Sequence, residues 1–268
     1  MRPLAFRDYI RLRENISLPA KSLDQAAKDI KQQSLLQPVL AELFSEYMQC
    51  GGFPRAVIDF IKWKRVTTIT ERDILNWLRG DWMKAGKDEK YMKELLGVIL
   101  RAKLTPLSWN NIARETSINS PHTVYSYVST LERLFVIKVV ELMGPDKKVY
   151  WRKAKKIHIS DPLLYKVFSR YVHEKISEEV LAESIVAMHI SRVAPIYYWH
   201  NGTEVDVIAE YNNSLYAYEI KWSFKRPTKN VPFKNLTILN KESIPVFLGI
   251  LGNRNENIAL DWTQISER

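Results

Sequence analysis

Polar and apolar residues alternate most clearly between residues 196 and 222. Three runs rich in aromatic and β-branched residues predict strands at about 196–200, 203–210 and 215–222. Asn201-Gly202 separates the first two runs, and this dipeptide is typical of a hairpin with a type I′ turn, in which both central residues need a positive φ. We expect a helix before these strands and, after them, a basic loop at 225–230, a helix and a buried strand at 244–251.

The alternation along these strands also places charged residues on common faces. Glu204 and Asp206 share one face of the second strand, and Glu219 and Lys221 share one face of the third, because successive side chains point to opposite faces. The apolar residues on the other faces are Val205, Val207, Tyr218 and Ile220. We therefore predict that three carboxylates and a lysine converge on a cleft or on solvent.

Helical periodicity dominates the first 87 residues. Gly51-Gly52 lies between two of the predicted helices, and Pro54 is typical of the first turn of the second one. We interpret the glycine pair as a turn between helices; a loop that binds phosphate is the alternative.

Residues 88–160 predict three helices followed by a β-hairpin, which is the order of a winged helix. In that fold the third helix presents its N-terminal residues to the major groove of DNA. The candidates for this contact are Asn119, His122, Thr123, Ser126 and Tyr127. The predicted wing carries a basic group beside Tyr150 and Trp151, made of Lys147, Lys148, Arg152, Lys153, Lys155 and Lys156. We expect these side chains to contact DNA phosphates; a protein-binding module is the alternative.

The composition favours a polyanionic partner. Forty Lys and Arg residues against thirty Asp and Glu residues leave a net charge of +10, and 46% of the residues are hydrophobic. Nucleic acid is the simplest partner for such a globular, basic chain. Cys50 is the single cysteine, which excludes an internal disulfide and a cysteine-based zinc site. No apolar run approaches 18 residues, so we expect a soluble, cytoplasmic protein without a membrane span.

Asp206 followed by Glu219-Ile220-Lys221 resembles the Asp…Glu-x-Lys core of the PD-(D/E)xK nuclease superfamily. The resemblance implies that Asp206 and Glu219 hold Mg²⁺ or Mn²⁺, that Lys221 positions or activates the attacking water, and that Glu183 on the preceding helix adds a ligand. Carboxylate oxygens suit such a hard cation, and an ammonium group offsets charge that builds on phosphate. Glu204 is a second candidate ligand. An exposed strand face with Glu–Lys pairing is the alternative.

A longer resemblance rests on the order of several motifs. PLAFRDY at 3–9, YMQCGGFPRAV at 47–57, the segment like a winged helix and the Asp…Glu-x-Lys residues are similar to the C-terminal half of a class of archaeal and bacterial AAA-type P-loop ATPases. No G-x-x-x-x-G-K-[ST] motif occurs in the chain, so we expect it neither to bind nor to hydrolyse ATP. A separate P-loop ATPase is a candidate partner.

Together these patterns predict an α+β protein with a helical region at 1–87, a winged helix at 88–160 and a nuclease-like domain at 161–268. The expected function is metal-dependent hydrolysis of DNA. The alternatives are a non-catalytic module that binds DNA or a protein partner, and a purely structural oligomerisation piece. His158 and Asp161 are interpreted as structural, with a metal-binding role as the alternative, and His200 is a further candidate for substrate contact.

Overall fold

The computed structural model describes residues 3–30, 36–223 and 232–252. The helices are α1 (Phe6–Glu14), α2 (Leu23–Asp29), α3 (Gln37–Cys50), α4 (Pro54–Trp63), α5 (Thr68–Lys84), α6 (Glu89–Ala102), α7 (Trp109–Glu115), α8 (Pro121–Arg133), α9 (Pro162–Val172), α10 (Glu178–Ile190) and α11 (Ser243–Ile250). The strands are β1 (Ile137–Met143), β2 (Val149–Tyr150), β3 (Lys156–Ile159), β4 (Ile196–Asn201), β5 (Thr203–Tyr211), β6 (Ser214–Lys221) and β7 (Leu236–Asn240). The prediction of a mixed α+β fold is confirmed. Over the same residues, no helix is long and apolar enough to cross a membrane.

One mixed sheet joins the strands in the order β2-β1-β4-β5-β6-β7, and β3 pairs with β1. β1 runs antiparallel to β2 and β3 but parallel to β4, where Leu142 lies opposite Tyr198. β4, β5 and β6 form two antiparallel pairs, and β7 runs parallel to β6. The three strands predicted between 196 and 222 are therefore confirmed.

The type I′ turn lies in the second hairpin rather than in the first. Gly202 has a φ of 72°, but Asn201 belongs to β4 and pairs with Thr203 across a single residue. Asn212 and Asn213, between β5 and β6, have φ values of 48° and 55°. Asparagine tolerates this left-handed conformation, so two asparagines form the turn that the Asn-Gly signal predicted eleven residues earlier.

The helix and final strand predicted after β6 are found in the reverse order: β7 comes first, and the segment predicted as a strand at 244–251 forms helix α11. A short apolar run fits a buried strand and a buried helix equally well by periodicity. The side chain of Asn240 accepts a hydrogen bond of 2.8 Å from the backbone N–H of Ser243, and this turn starts the helix directly after β7. The basic loop expected at 225–230 lies outside the described residues.

The buried core crosses the predicted domain boundaries. One continuous cluster of buried side chains includes Phe44, Leu131, Val207 and Phe247, which come from all three predicted regions. β1, from the predicted winged helix, pairs with β4 of the predicted nuclease-like domain. The three regions share one core, and their division into domains stays a prediction.

The Gly51-Gly52 turn between α3 and α4 is held by close backbone contacts. The backbone N–H of Gly52 donates to Asp161 Oδ2 at 2.8 Å, and its carbonyl accepts from Leu4 N at 2.7 Å. A Cβ at Gly51 would lie 2.0 Å from Asp161 Oδ1, so a side chain does not fit there. Asp161 also caps α9 through Leu163 N, and burial raises the pKa of its carboxyl to about 6. The structural interpretation of the glycine pair and of Asp161 is confirmed.

His189 on α10 connects the N-terminal segment to the core. Its Nδ1–H donates to the Ile185 carbonyl at 2.7 Å, and its Nε2 accepts from the Phe6 backbone N–H at 2.8 Å. This pair of bonds needs the neutral imidazole, because a protonated Nε2 has no lone pair for Phe6. Burial lowers the pKa of His189 to about 3.

We expect the free energy of unfolding of His189→Gln to fall less steeply than that of the wild type as the pH is lowered. Stability from a neutral buried histidine is complete above its unfolded pKa of about 6.5 and is lost as pH falls towards the folded pKa of about 3. Between pH 5.5 and 4, His189 is neutral in the folded protein and protonated in the unfolded one, which lowers the free energy of unfolding by about 1.4 kcal/mol per pH unit. The variant should lack this contribution. Urea unfolding at several pH values measures the slope, with His200→Gln on the exposed end of β4 as the control. Equal slopes for His189→Gln and the wild type would contradict a buried, neutral His189 in the folded protein.

Candidate functional site

The candidate site is an ionic cluster centred on Lys156, the first residue of β3. Its side chain is buried, with 1% of the residue exposed. The Nζ atom lies 2.8 Å from Glu183 Oε1 on α10 and 3.6 Å from Asp206 Oδ1 on β5, and it also pairs with Glu204. We call Glu183, Glu204 and Asp206 the acidic cluster. Three carboxylates that are far apart in sequence therefore converge on one ammonium group.

A β-bulge in β5 aims Asp206 into this cluster. From the pair Tyr197–Ile208 to the pair Trp199–Val205, β4 advances by two residues while β5 advances by three. The extra residue interrupts the alternation, as expected for a bulge. The carboxylate of Asp206 accepts a hydrogen bond of 2.7 Å from the backbone N–H of Ile220, at the end of the paired part of β5 and β6.

The bulge also corrects the predicted faces of β5. Val205 packs with Trp199 and Ile208 in a small apolar group, whereas Val207 belongs to the main core with Tyr218. The two valines therefore do not share a face as predicted. The polar and apolar residues of the sequence alternate regularly through residues 204–207, although the faces of their side chains do not. The sequence therefore carries no sign of the bulge.

Glu219 and Lys221 form a second ion pair beside the acidic cluster. Lys221 Nζ lies 2.6 Å from Glu219 Oε1, which confirms that the two side chains share a face of β6. Glu219 is buried, with 1% exposed. The positive charge of Lys221 also lowers the pKa of Asp206, so the two groups are electrostatically connected.

Burial and charge oppose each other within the cluster. Burial raises the pKa of Glu183 to about 7 and raises the pKa of Asp206, while the charge of Lys156 acts in the opposite direction on both. Burial alone would lower the pKa of Lys156, but the charges of Glu183, Asp206 and Glu204 outweigh burial and hold it above its ordinary value. Lys156 is thus charged at neutral pH, and Glu183 is poised to gain or lose a proton there.

The residues fit a divalent cation by their chemistry. Carboxylate oxygens of Glu183, Glu204 and Asp206 are ligands of the type that Mg²⁺ prefers. As they stand, the described residues contain no group of three or more His, Cys, Asp or Glu side chains arranged to hold a metal ion. The ammonium group of Lys156 lies among the oxygens instead.

The predicted DNA-contacting residues lie in the first two turns of α8 or just before them, and they range from exposed to half-buried. Asn119 and His122 are exposed and Thr123 is half-buried. Ser126 accepts a hydrogen bond of 2.8 Å from Lys87 Nζ, so it faces the neighbouring helices.

Tyr127 is likewise an internal contact of the helical region. Its ring centroid lies 5.4 Å from that of Trp82 and 5.5 Å from that of Tyr91, and Lys87 Nζ lies 4.3 Å from its centre. The exposed aromatic residue of α8 is Tyr125, which sequence reasoning missed and which packs against Trp109.

The predicted basic wing is also divided. The exposed members, called the basic surface below, are Lys147, Lys148, Arg152 and Lys153. They lie beside Trp151, which is 69% exposed. Lys155 is buried, donates to the Lys153 carbonyl at 2.6 Å and pairs with Glu141 at 3.1 Å. Lys155 and Lys156 are therefore corrected from phosphate contacts to buried ion pairs.

Two further candidate histidines, His158 and His200, lie near the residues of the site. His158, two residues after Lys156, is fully buried, and its Nδ1 lies 3.1 Å from Ser184 Oγ. Burial, followed by the charge of Lys156, lowers the pKa of His158 to about 3, which supports a structural role. His200 is exposed and lies opposite Glu204 in the β4–β5 pair.

Two sequence families match parts of the chain. Residues 41–171 match a domain of unknown function (DUF8612), and residues 158–231 match a family described as archaeal and bacterial proteins of unknown function (DUF234). The chain matches no curated protein and no solved structure. Lys156 lies in the first matched range, and the acidic cluster, Glu219 and Lys221 lie in the second. The second match is consistent with the resemblance to the C-terminal part of archaeal and bacterial ATPases.

Proposed function

We propose that this protein binds DNA and hydrolyses its phosphodiester bonds at the acidic cluster with the help of Mg²⁺ or Mn²⁺. The observation that carries the proposal is the convergence of Glu183, Glu204 and Asp206 around Lys156, with Lys221 beside Asp206. Carboxylates that can hold a hard cation next to a partly exposed ammonium group are the parts that hydrolysis of a phosphodiester needs.

Each residue of the site has a role in this proposal. Asp206, Glu183 and Glu219 would hold the cation, with Glu204 as a further ligand, and the bound cation supplies Lewis acidity and an acidic water. Glu183, on the helix before these strands, would serve as a ligand or orient the attacking water. Lys221, which is partly exposed, offsets the negative charge that builds on the phosphate in the transition state.

DNA binding is supported by the region between 88 and 160. Three helices, α6, α7 and α8, precede the antiparallel pair β1–β2, which is the element order of a winged helix. The basic surface, Trp151 and the exposed start of α8 offer charges for phosphates and aromatic rings for bases.

A cleavage assay tests the proposal directly. Pure wild type should cut duplex, single-stranded or branched DNA with Mg²⁺ or Mn²⁺ and lose this activity when EDTA is added. Asp206→Asn should abolish cleavage, whereas Glu42→Gln, on the exposed face of α3, should leave it unchanged. Cleavage that survives in Asp206→Asn would place the chemistry elsewhere.

A non-catalytic DNA- or ATPase-binding module is the second candidate function. It is favoured by Lys156, whose ammonium group already neutralises part of the acidic cluster without a metal. In that case the wild type binds DNA in the same experiment but cuts none of the three substrates with either cation.

We expect the basic surface to carry much of the salt dependence of DNA binding. Changing Lys147, Lys148, Arg152 and Lys153 to Ala should reduce the slope of log affinity against log salt by about 0.9 for each DNA phosphate that the variant no longer neutralises. The fold should persist, because exposed substitutions usually change stability by less than about 0.5 kcal/mol each.

The matched control changes the same charge elsewhere, by replacing Lys62, Arg65, Arg72 and Lys84, which are exposed on α4, α5 and the turn between them. Fluorescence anisotropy at several salt concentrations measures both slopes. An equal slope for the wild type and the variant of the basic surface would place the DNA-binding surface elsewhere.

A further inference from the structure

We infer that the ammonium group of Lys156 competes with a divalent cation for the carboxylate oxygens of the acidic cluster, so that Lys156 sets the cation affinity of the site. The inference rests on the proposed function, since it takes the acidic cluster to be a cation site. It adds a role for a residue of β3, which lies outside the Asp…Glu-x-Lys pattern.

The position of Lys156 is the first argument. Its Nζ atom lies 2.8 Å from Glu183 Oε1 and in contact with Glu204, while Asp206 Oδ1 lies 3.6 Å away. A bound Mg²⁺ or Mn²⁺ needs the same oxygens at about 2.0–2.2 Å. The ammonium group and a bound cation would therefore occupy overlapping positions.

The charge of the cluster is the second argument. When ionised, Glu183, Glu204 and Asp206 carry three negative charges, and Lys156 supplies one positive charge. The remaining negative charge attracts a cation, but an ammonium group a few ångströms away repels it strongly in a partly buried site. Lys156 thus permits cation binding and weakens it.

The burial of Lys156 is the third argument. The backbone of Lys156 pairs with Val140 of β1, and 1% of the residue is exposed, so its charge stays within the site. Without a cation, this charge holds together three carboxylates that would otherwise repel one another. Lys156 is therefore a positioning residue that keeps the cluster assembled until a cation binds.

Titration calorimetry with MnCl₂ at pH 8 tests the inference. Lys156→Met keeps the length of the side chain and removes its charge, and we expect it to bind Mn²⁺ at least about tenfold more tightly than the wild type does. Adding Asp206→Asn to this variant should remove the gain, which assigns the binding to the acidic cluster. Lys62→Met makes the same change of charge on the exposed face of α4 and should leave the affinity at the wild-type value.

The outcomes separate the inference from the proposed function. Equal or weaker Mn²⁺ binding by Lys156→Met, with tight binding by the wild type, would overturn the competition and leave the cation site intact. Binding by neither protein would overturn both. If Lys156→Met is unfolded without a cation, thermal unfolding at increasing MnCl₂ gives the same comparison, because a ligand of the folded state raises stability with the logarithm of its concentration.

Discussion

Replacing Lys156 by Ala should lower the free energy of unfolding by about 3–5 kcal/mol, the usual cost of removing one partner from a buried ion pair. Lys156 contacts Glu183 and Glu204 and lies near Asp206. Its removal leaves carboxylates that are buried, close together and without their shared counter-ion. Two of them also become hard to ionise, so part of the loss depends on pH.

The loss of stability in Lys156→Ala should depend on pH in a defined direction. The pKa of Glu183 is about 7 in the folded protein and that of Asp206 is also raised, so ionising these groups at high pH opposes folding. Their contribution to stability is largest below their unfolded pKa values and is lost as pH rises through the folded ones. Without Lys156 this loss of stability is larger. The free energy of unfolding of Lys156→Ala should therefore fall further below the wild-type value at pH 8 than at pH 5.

Urea unfolding at both pH values measures the effect. Lys153→Ala is the matched control, because Lys153 is exposed on the same segment and should change stability by less than about 0.5 kcal/mol. A loss below about 1 kcal/mol for Lys156→Ala at both pH values would mean that Lys156 does not stabilise the cluster.

The sequence alone predicts the parts of the fold that depend on neighbouring residues. The strands at 196–201, 203–211 and 214–221 follow from alternation, and the helices between 88 and 133 follow from helical periodicity. The convergence of Glu204 and Asp206 near the helix of Glu183 also agrees with the resemblance. The strands and helices depend on local spacing, which the sequence displays directly, whereas the role of Glu183 beside Asp206 comes only from the resemblance.

The errors concern features that depend on distant residues. Lys156 reads as one of a row of exposed lysines, and only the pairing of β3 with β1 and the packing of α10 bury it among carboxylates 27 to 50 residues away. The bulge in β5 and the helix α11 are likewise decided by tertiary packing. An unbroken apolar run and a lysine next to a lysine carry no local sign of these outcomes.

Lys221→Ala should reduce metal-dependent cleavage by about a hundredfold or more while DNA affinity barely changes. In the proposed reaction Lys221 acts on charge that develops in the transition state, and loss of such a group lowers turnover rather than binding. One phosphate contact among many contributes little to total affinity. The ion pair with Glu219, in which the Lys221 side chain is 23% exposed, is the competing structural explanation for an effect.

Single-turnover cleavage and anisotropy on the same protein preparations separate these explanations. Because Glu219 is buried, Lys221→Ala should lower the melting temperature under either explanation. A structural defect would lower DNA binding together with turnover, whereas a catalytic role lowers turnover at unchanged DNA affinity. Lys241→Ala is the matched control, because Lys241 follows the neighbouring strand and its Nζ lies 5.2 Å from the ring of Trp222. Lys241→Ala should cut DNA at the wild-type rate. Undiminished cleavage by Lys221→Ala would remove Lys221 from the chemistry and leave Lys156 as the ammonium group in contact with the acidic cluster.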